Sequence, residues 1–221
     1  MRALVVDGGK ATRLKGYPPP KGLVQAGDAP LLLHLVRRLR EIGVDRVTVL
    51  IGYTTAARLL QSPVARRVDI EIDYCMEGQL TALCAVADKY RDEDVVITTG
   101  DAWFEHLRQL RHCSEGKVLA LTDDPEAGRP QIQMAEAQKI TYVGRFLRQG
   151  AVSYAGILRV NHCPEFWDAL AMGRTAGMKW ISRPLCFMKP GLVDLRPAMG
   201  RSVNVNTVED LVKVREAVCE S

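Results

Sequence analysis

Residues Arg2-Ala3-Leu4-Val5-Val6 run directly into Asp7-Gly8-Gly9-Lys10-Ala11-Thr12-Arg13-Leu14. The first five read as a strand, because aliphatic and β-branched side chains suit a pleated, buried segment. The small residues that follow let backbone N–H groups come close to phosphate oxygens, since glycine carries no Cβ to keep a ligand away. Arg13, and Lys21 in the later Pro20-Lys21-Gly22-Leu23-Val24, add two cations to that loop. A strand that empties into a glycine loop is how many open α/β sheets begin.

The chain continues the same alternation. Pro30 to Ile42 places Leu31, Leu32, Leu35, Val36, Leu39 and Ile42 on one side and Arg37, Arg38, Arg40 and Glu41 on the other, closed by Gly43, which predicts a helix. Val47 to Ile51, Val68 to Tyr74 and Val95 to Thr98 read as strands, with helices over Thr55 to Gln61 and Leu80 to Tyr90 between them. Such βαβ repetition predicts a parallel sheet with helices on both faces. Beyond it, Val118 to Thr122 and Ser153 to Val160 read as strands, and Gln131 to Met134 with Lys139 to Val143 as a hairpin-like excursion. Glu165 to Met172 reads as a helix, Leu185 to Lys189 and Leu192 to Leu195 as short strands, and Val208 to Val218 as a closing helix with Thr207 and Asp210 forming a capping box. No repeat or linker interrupts the 221 residues, so the expectation is one domain over 1–221. Its N-terminal half would bind a nucleotide and its C-terminal half an acceptor.

Composition narrows the classes. With 47% hydrophobic and 25% charged residues the chain has the balance of a soluble globular protein. No stretch approaches the roughly 20 apolar residues of a membrane span, and the N-terminus lacks a signal-peptide core, so a cytoplasmic protein without membrane partners is expected. The 30 basic and 26 acidic residues are interspersed, which argues against a nucleic-acid partner while suiting small anionic ligands. The six cysteines show no metal-ligand spacing.

The order Gly8-Gly9 to Arg13, then Pro20-Lys21, then Gly27-Asp28-Ala29-Pro30-Leu31, resembles the sugar-1-phosphate nucleotidyltransferase family, which opens G-x-G-T-R, then P-K, then G-x-P-L. Glu77-Gly78-Gln79-Leu80-Thr81 stands where that family has a glycine loop beside the base, and Thr99-Gly100-Asp101 where it has G-D. Ser153-Tyr154-Ala155-Gly156-Ile157 resembles its A-G-I strand, and Asn204-Val205-Asn206-Thr207-Val208-Glu209-Asp210-Leu211 its D-I-N-T-P-E-D-L. The resemblance implies an α/β, Rossmann-like, mostly parallel sheet with helices on both faces, of the GT-A-like nucleotidyltransferase kind. It further implies that Asp7, Gly8, Gly9, Lys10, Thr12, Arg13, Lys21, Gly78, Gln79 and Thr81 bind an NTP, with Arg13, Lys21 and Asp101 catalytic. Attack of one phosphate on another brings two anions together, so cations and Mg²⁺ must neutralise charge. Asp101 is a hard oxygen donor for Mg²⁺, and Asn204 would share it.

A finer likeness lies in Glu136-Ala137-Gln138-Lys139-Ile140, Gly144-Arg145-Phe146-Leu147 and Ala151-Val152. These are similar to the E-A-T-K-V and G-K segments of inositol-1-phosphate cytidylyltransferases, which also carry P-K-G-L-V. The implication is CTP as donor and a phosphorylated alcohol such as inositol-1-phosphate or a sugar-1-phosphate as acceptor, held by Glu136, Lys139, Arg145, Tyr154 and Gly156. Three positions depart from the pattern. Ala11 replaces a loop glycine, Asp7 a small residue, and Asn204 an aspartate expected to share Mg²⁺ with Asp101. An amide oxygen brings no charge, so Asp7 or the triphosphate would have to supply it. The departure also supports a different class of protein, a nucleotide or sugar-nucleotide sensor without catalysis. A dinucleotide oxidoreductase fits poorly, since Ile51-Gly52-Tyr53 ends the second strand without the acid that would hold a ribose. The nucleotide, the acceptor and the oligomeric state, homo-oligomers included, stay open.

Overall fold

The structure is a computed structural model that describes residues 1–7, 14, 16–18, 20–67, 70–74, 78–124, 131–134, 140–144, 149, 151–188, 190–194 and 201–220. In chain order its strands are β1 (Arg2–Val6), β2 (Gln25–Ala26), β3 (Ala29–Pro30), β4 (Arg46–Ile51), β5 (Ile70–Tyr74), β6 (Asp94–Thr99), β7 (Ala102–Phe104), β8 (Lys117–Asp123), β9 (Gln131–Met134), β10 (Ile140–Gly144), β11 (Val152–Asn161), β12 (Gly191–Asp194) and β13 (Ser202–Asn204). The helices are α1 (Leu31–Glu41), α2 (Tyr53–Gln61), α3 (Pro63–Arg67), α4 (Gln79–Ala85), α5 (Ala87–Tyr90), α6 (Pro164–Thr175) and α7 (Val208–Glu220).

β1 is buried along its whole length because β4 and β6 flank it, both parallel. β5 extends this parallel part beyond β4, giving the order β5-β4-β1-β6. Past β6 the direction reverses. β11 runs antiparallel to β6 and also pairs with β8 and β9, while β12 joins β8 in parallel. The result is a mixed α/β sheet whose first half is wholly parallel, with helices on both faces. Side chains alternate across β1, so Ala3 and Val5 pack with α1 and α2, whereas Leu4 and Val6 pack with α4 and α6. A third cluster joins α7 to β2, β7 and β13 through Ala26, Trp103, Val203, Val205, Leu211 and Val214.

Several expectations are met closely. β1 has the predicted bounds, β9 and β10 form the predicted hairpin, and α7 begins with reciprocal bonds in which Thr207 N–H donates to Asp210 and Asp210 N–H donates to Thr207 Oγ1. Two elements are corrected. The segment read as a strand over Leu185 to Lys189 is a 3-10 helix over Arg183–Phe187. Pro184 explains it, because its ring presets a turn-compatible φ and removes a ladder N–H. Pro184 packs on α6, where a Cβ on Gly173 would meet its Cγ at 2.6 Å. The helix read over Leu80 to Tyr90 divides at Val86 (φ −110°, ψ 6°) into α4 and α5. β7 and β13, unread in the sequence, pair antiparallel with Asn204 opposite Ala102. That pairing brings the C-terminal part of the chain to the end of β6.

Candidate active site

Because β1 and β6 are parallel neighbours, their C-terminal ends lie side by side, and Gly100 N–H donates to Val6 O at 3.2 Å. Asp7 and Asp101 therefore leave the same edge of the sheet, the place where open α/β sheets collect ligands. A 3-10 turn over Lys21–Leu23 sits against this edge. From it Lys21 Nζ donates to Asp101 Oδ2 at 2.7 Å, to Asn206 Oδ1 at 2.9 Å and to the Val205 carbonyl at 3.2 Å. All three ammonium protons thus have oxygen partners. The pair is largely buried, with 11% of the Lys21 side chain and 18% of the Asp101 side chain exposed. Val205 N–H donates to Asp101 O at 2.8 Å, tying β13 to this corner.

Asp7 lies deeper. It is only 4% exposed, and its Oδ2 accepts from Gly22 N–H at 3.0 Å. Burial, and after it the nearby Asp101 carboxylate, push the Asp7 carboxyl well above its ordinary range, while the Gly22 amide, the Lys21 charge and the Lys21 amide draw it back only in part. Nothing larger than glycine fits beside it. A Cβ on Gly100 would stand 2.4 Å from Asp7 Cγ, and one on Gly22 2.5 Å from Asp7 Oδ2.

Asn204, paired with Ala102 next to Asp101, leans on the backbone of Gly156, where a Cβ would meet both amide atoms at 3.2 Å. Gly156 has φ +90°, a conformation that favours glycine. Asn204 Oδ1 is buried and makes no hydrogen bond among the described residues. A buried carbonyl oxygen left unpaired is costly, so its lone pairs are available to a cation. Tyr154 presents a second orphan, since its hydroxyl is buried without a partner among the described residues and burial raises its pKa. Ser202 Oγ donates to Asp123 Oδ2 at 2.7 Å.

The family resemblance implies Mg²⁺, and the donors can be judged directly. Among the described residues no three His, Cys, Asp or Glu side chains gather as a metal cage. Mg²⁺ does not require one, because it is commonly held by one or two carboxylates together with substrate phosphates. The Asp101 carboxylate and the unpaired Asn204 amide oxygen, both hard donors at the same corner, fit that mode.

Of the residues singled out in the sequence, Asp7, Lys21, Asp101 and Asn204 come together at this corner, with Gly156 against Asn204. Gly78 (φ +102°, ψ 133°) stands at the start of α4 with Gln79 and Thr81 behind it. Gly8, Gly9, Lys10, Thr12 and Arg13, and likewise Glu136, Lys139 and Arg145, lie outside the described residues. Asn206, Gly22 and the Val205 carbonyl were not singled out, although Asn206 stands in the quoted Asn204-to-Leu211 motif. Its polar side chain two residues after Asn204 was the available signal.

Residues 3–164 match the model of the MobA-like NTP transferase domain. The chain belongs to that family. Among its curated relatives is the UTP–glucose-1-phosphate uridylyltransferase AglF of Haloferax volcanii, 31% identical over 110 residues, which cover 47% of this chain and 44% of that protein. The chain spans less than half the length of the curated relatives it matches. The solved structure of CTP:phosphocholine cytidylyltransferase from Streptococcus pneumoniae superposes with a TM-score of 0.75 over 98% of both chains, at 13% identity. The inositol-1-phosphate CTP transferase from T. maritima does so with a TM-score of 0.71 over 97% of this chain and 96% of that one, also at 13% identity. At such identities these structures establish a shared fold. No helix among the described residues of this NTP transferase domain is long and apolar enough to cross a membrane.

Proposed function

We propose that this chain is a Mg²⁺-dependent nucleotidyltransferase that moves a nucleoside monophosphate unit from an NTP, CTP favoured, to a phosphorylated alcohol such as inositol-1-phosphate or a sugar-1-phosphate. The observation that carries the reading is the corner where Lys21 meets Asp101 beside the unpaired oxygen of Asn204. The preference for CTP and a cyclitol or sugar phosphate rests on the likeness of the Glu136–Ile140 and Gly144–Leu147 segments to the inositol-phosphate enzymes.

In this reading an acceptor phosphate oxygen attacks the α-phosphorus. A new P–O bond forms there, the bond to the bridging oxygen breaks, and pyrophosphate leaves with its electron pair. No covalent enzyme intermediate is required, so positioning and charge neutralisation supply the catalysis. Mg²⁺ bound through Asp101 and Asn204 would offset phosphate charge. Lys21 leaves its carboxylate partner in part and turns its ammonium toward the α-phosphate, with Asn206 and the Val205 carbonyl still limiting its orientation. Arg13 grips the outer phosphates, and Gly8, Gly9, Lys10, Thr12, Gly78, Gln79 and Thr81 line the nucleotide. Tyr154, with Glu136, Lys139 and Arg145, faces the acceptor.

The missing carboxylate at position 204 favours one other reading, a nucleotide sensor without turnover. Pyrophosphate release with CTP, UTP, GTP, ATP and dTTP, each paired with inositol-1-phosphate, glucose-1-phosphate and mannose-1-phosphate in Mg²⁺, separates the two. Release with CTP and one of these acceptors is expected. Nucleotide binding without release from any pair would replace the enzyme by the sensor.

A further inference from the structure

We infer that Asp7 is a positioning residue for Lys21, a buried hydrogen-bond acceptor that caps the turn bearing the lysine rather than a group that touches nucleotide or metal. The inference deepens the proposed transferase reading, on which the role of Lys21 rests. The turn over Lys21–Leu23 has Pro20 as its N-cap, and no side chain within the turn caps it. The first N–H groups of a helical turn need outside acceptors. Asp7 provides one from a different element, accepting from Gly22 N–H at 3.0 Å, with the Lys21 amide also directed at its carboxyl.

The slot explains why the carboxyl stays there. Its backbone is held on the β4 side by Asp7 N–H donating to Leu50 O at 3.0 Å, and the end of β1 is held on the β6 side by Gly100 N–H on Val6 O. Gly22 and Gly100, from separate segments, each withhold the Cβ that would occupy the carboxyl's space. A carboxyl so enclosed is 4% exposed, while Lys21 and Asp101 keep some exposure at the same edge. The same contact therefore welds the lysine-bearing turn to the ends of β1 and β6. It sets where Nζ stands relative to Asp101.

The test compares the full chain, native and with Asp7→Asn or Asp7→Leu, by amide hydrogen exchange at Gly22 and by the side-chain ¹⁵N resonance of Lys21. Asparagine still offers an oxygen, whereas leucine keeps the shape and offers none. Exchange at Gly22 is expected to quicken by at least about tenfold in Asp7→Leu and to stay within about threefold of native in Asp7→Asn, as loss or retention of one buried hydrogen bond requires. The Lys21 resonance moves only in Asp7→Leu. With CTP and inositol-1-phosphate, Asp7→Leu lowers kcat by about tenfold or more with little change in the KM for CTP, and Asp7→Asn restores most of it. Unchanged Gly22 exchange in Asp7→Leu, or loss of CTP affinity with kcat intact, overturns the assignment. If the native chain turns nothing over, the transferase reading fails while the exchange and resonance data still decide the role of Asp7. Should Asp7→Leu not fold, Gly22→Ala is compared with Gly22→Ala/Asp7→Ala. The slot requires the double variant to be the more stable, and the opposite order sinks the proposal.

Discussion

Replacing Lys21 by alanine takes away an ammonium whose three protons all meet oxygens, and it leaves the Asp101 carboxylate short of its cation. Breaking a fully buried ion pair from one side costs about 3–5 kcal/mol. Here 11% and 18% of the two side chains remain exposed, so solvent relieves part of that and about 2–3 kcal/mol is the expected loss. For a chain of this size that corresponds to a fall in Tm of about 5–10 °C. Pyrophosphate release should drop much further than stability explains, by about 100- to 1000-fold, the range for removing one preorganised electrostatic group. A double variant, Lys21→Ala/Asp101→Asn, separates the two effects. Removing the stranded charge should return about 1–2 kcal/mol in thermal or urea unfolding, while turnover stays low. Recovery of turnover together with stability would show that the pair serves the fold alone, and an undiminished rate in Lys21→Ala would remove Lys21 from the chemistry.

Three further outcomes are expected. Asn204→Asp sets a second carboxylate at the Asp101 corner, so it should lower Tm in a chelator, raise it above native in Mg²⁺ and reduce the Mg²⁺ needed for half-maximal turnover; a metal-independent Tm shift would count against a cation at this corner. Tyr154→Phe deletes a buried hydroxyl that has no partner among the described residues, so stability should rise by about 1 kcal/mol or somewhat more, seen as a Tm higher by about 2–4 °C, while the acceptor KM increases. A fall in Tm would mean that the hydroxyl is bonded. Asp7 governs the third outcome, for which its carboxyl is raised in the folded state mainly by burial. A raised folded pKa contributes stability that is full below the ordinary carboxylate value and is lost as pH rises through the elevated one. Urea midpoints measured from pH 5 to pH 8 should therefore fall for the native chain relative to Asp7→Asn, which cannot ionise, and a constant difference across that range would contradict the assignment.

Local chemistry written in short stretches was legible in the sequence. β1 could be bounded to the residue, since Arg2 to Val6 is uniformly strand-forming and Asp7-Gly8 stops it. α1 could be read from its 3.6-residue periodicity, and the start of α7 from Thr207 and Asp210, which bond each other within one turn. The alternation of strands and helices up to Thr99 dictated a parallel half-sheet, and the ordered motifs pointed to the family. What lay beyond reach depended on residues far apart in the chain. β7 and β13 are three residues each, too short to show a period, and exist because they pair with each other. The Arg183–Phe187 turn formed where apolar content suggested a strand, because Pro184 and its seat on Gly173 outweighed β propensity. Gly22 and Gly100 look like ordinary turn glycines until the fold lays one carboxyl between them. Asp7 in turn reads as a loop acid in the sequence, and only the fold shows the slot that buries it. Asn204 reads as a lost charge in the sequence, and only packing against Gly156 shows its oxygen buried and unpaired. Periodicity and capping act within a few residues and so leave their mark on the sequence. Close approach, burial and charge pairing are set when distant segments share one volume, and that volume is defined by the tertiary structure alone.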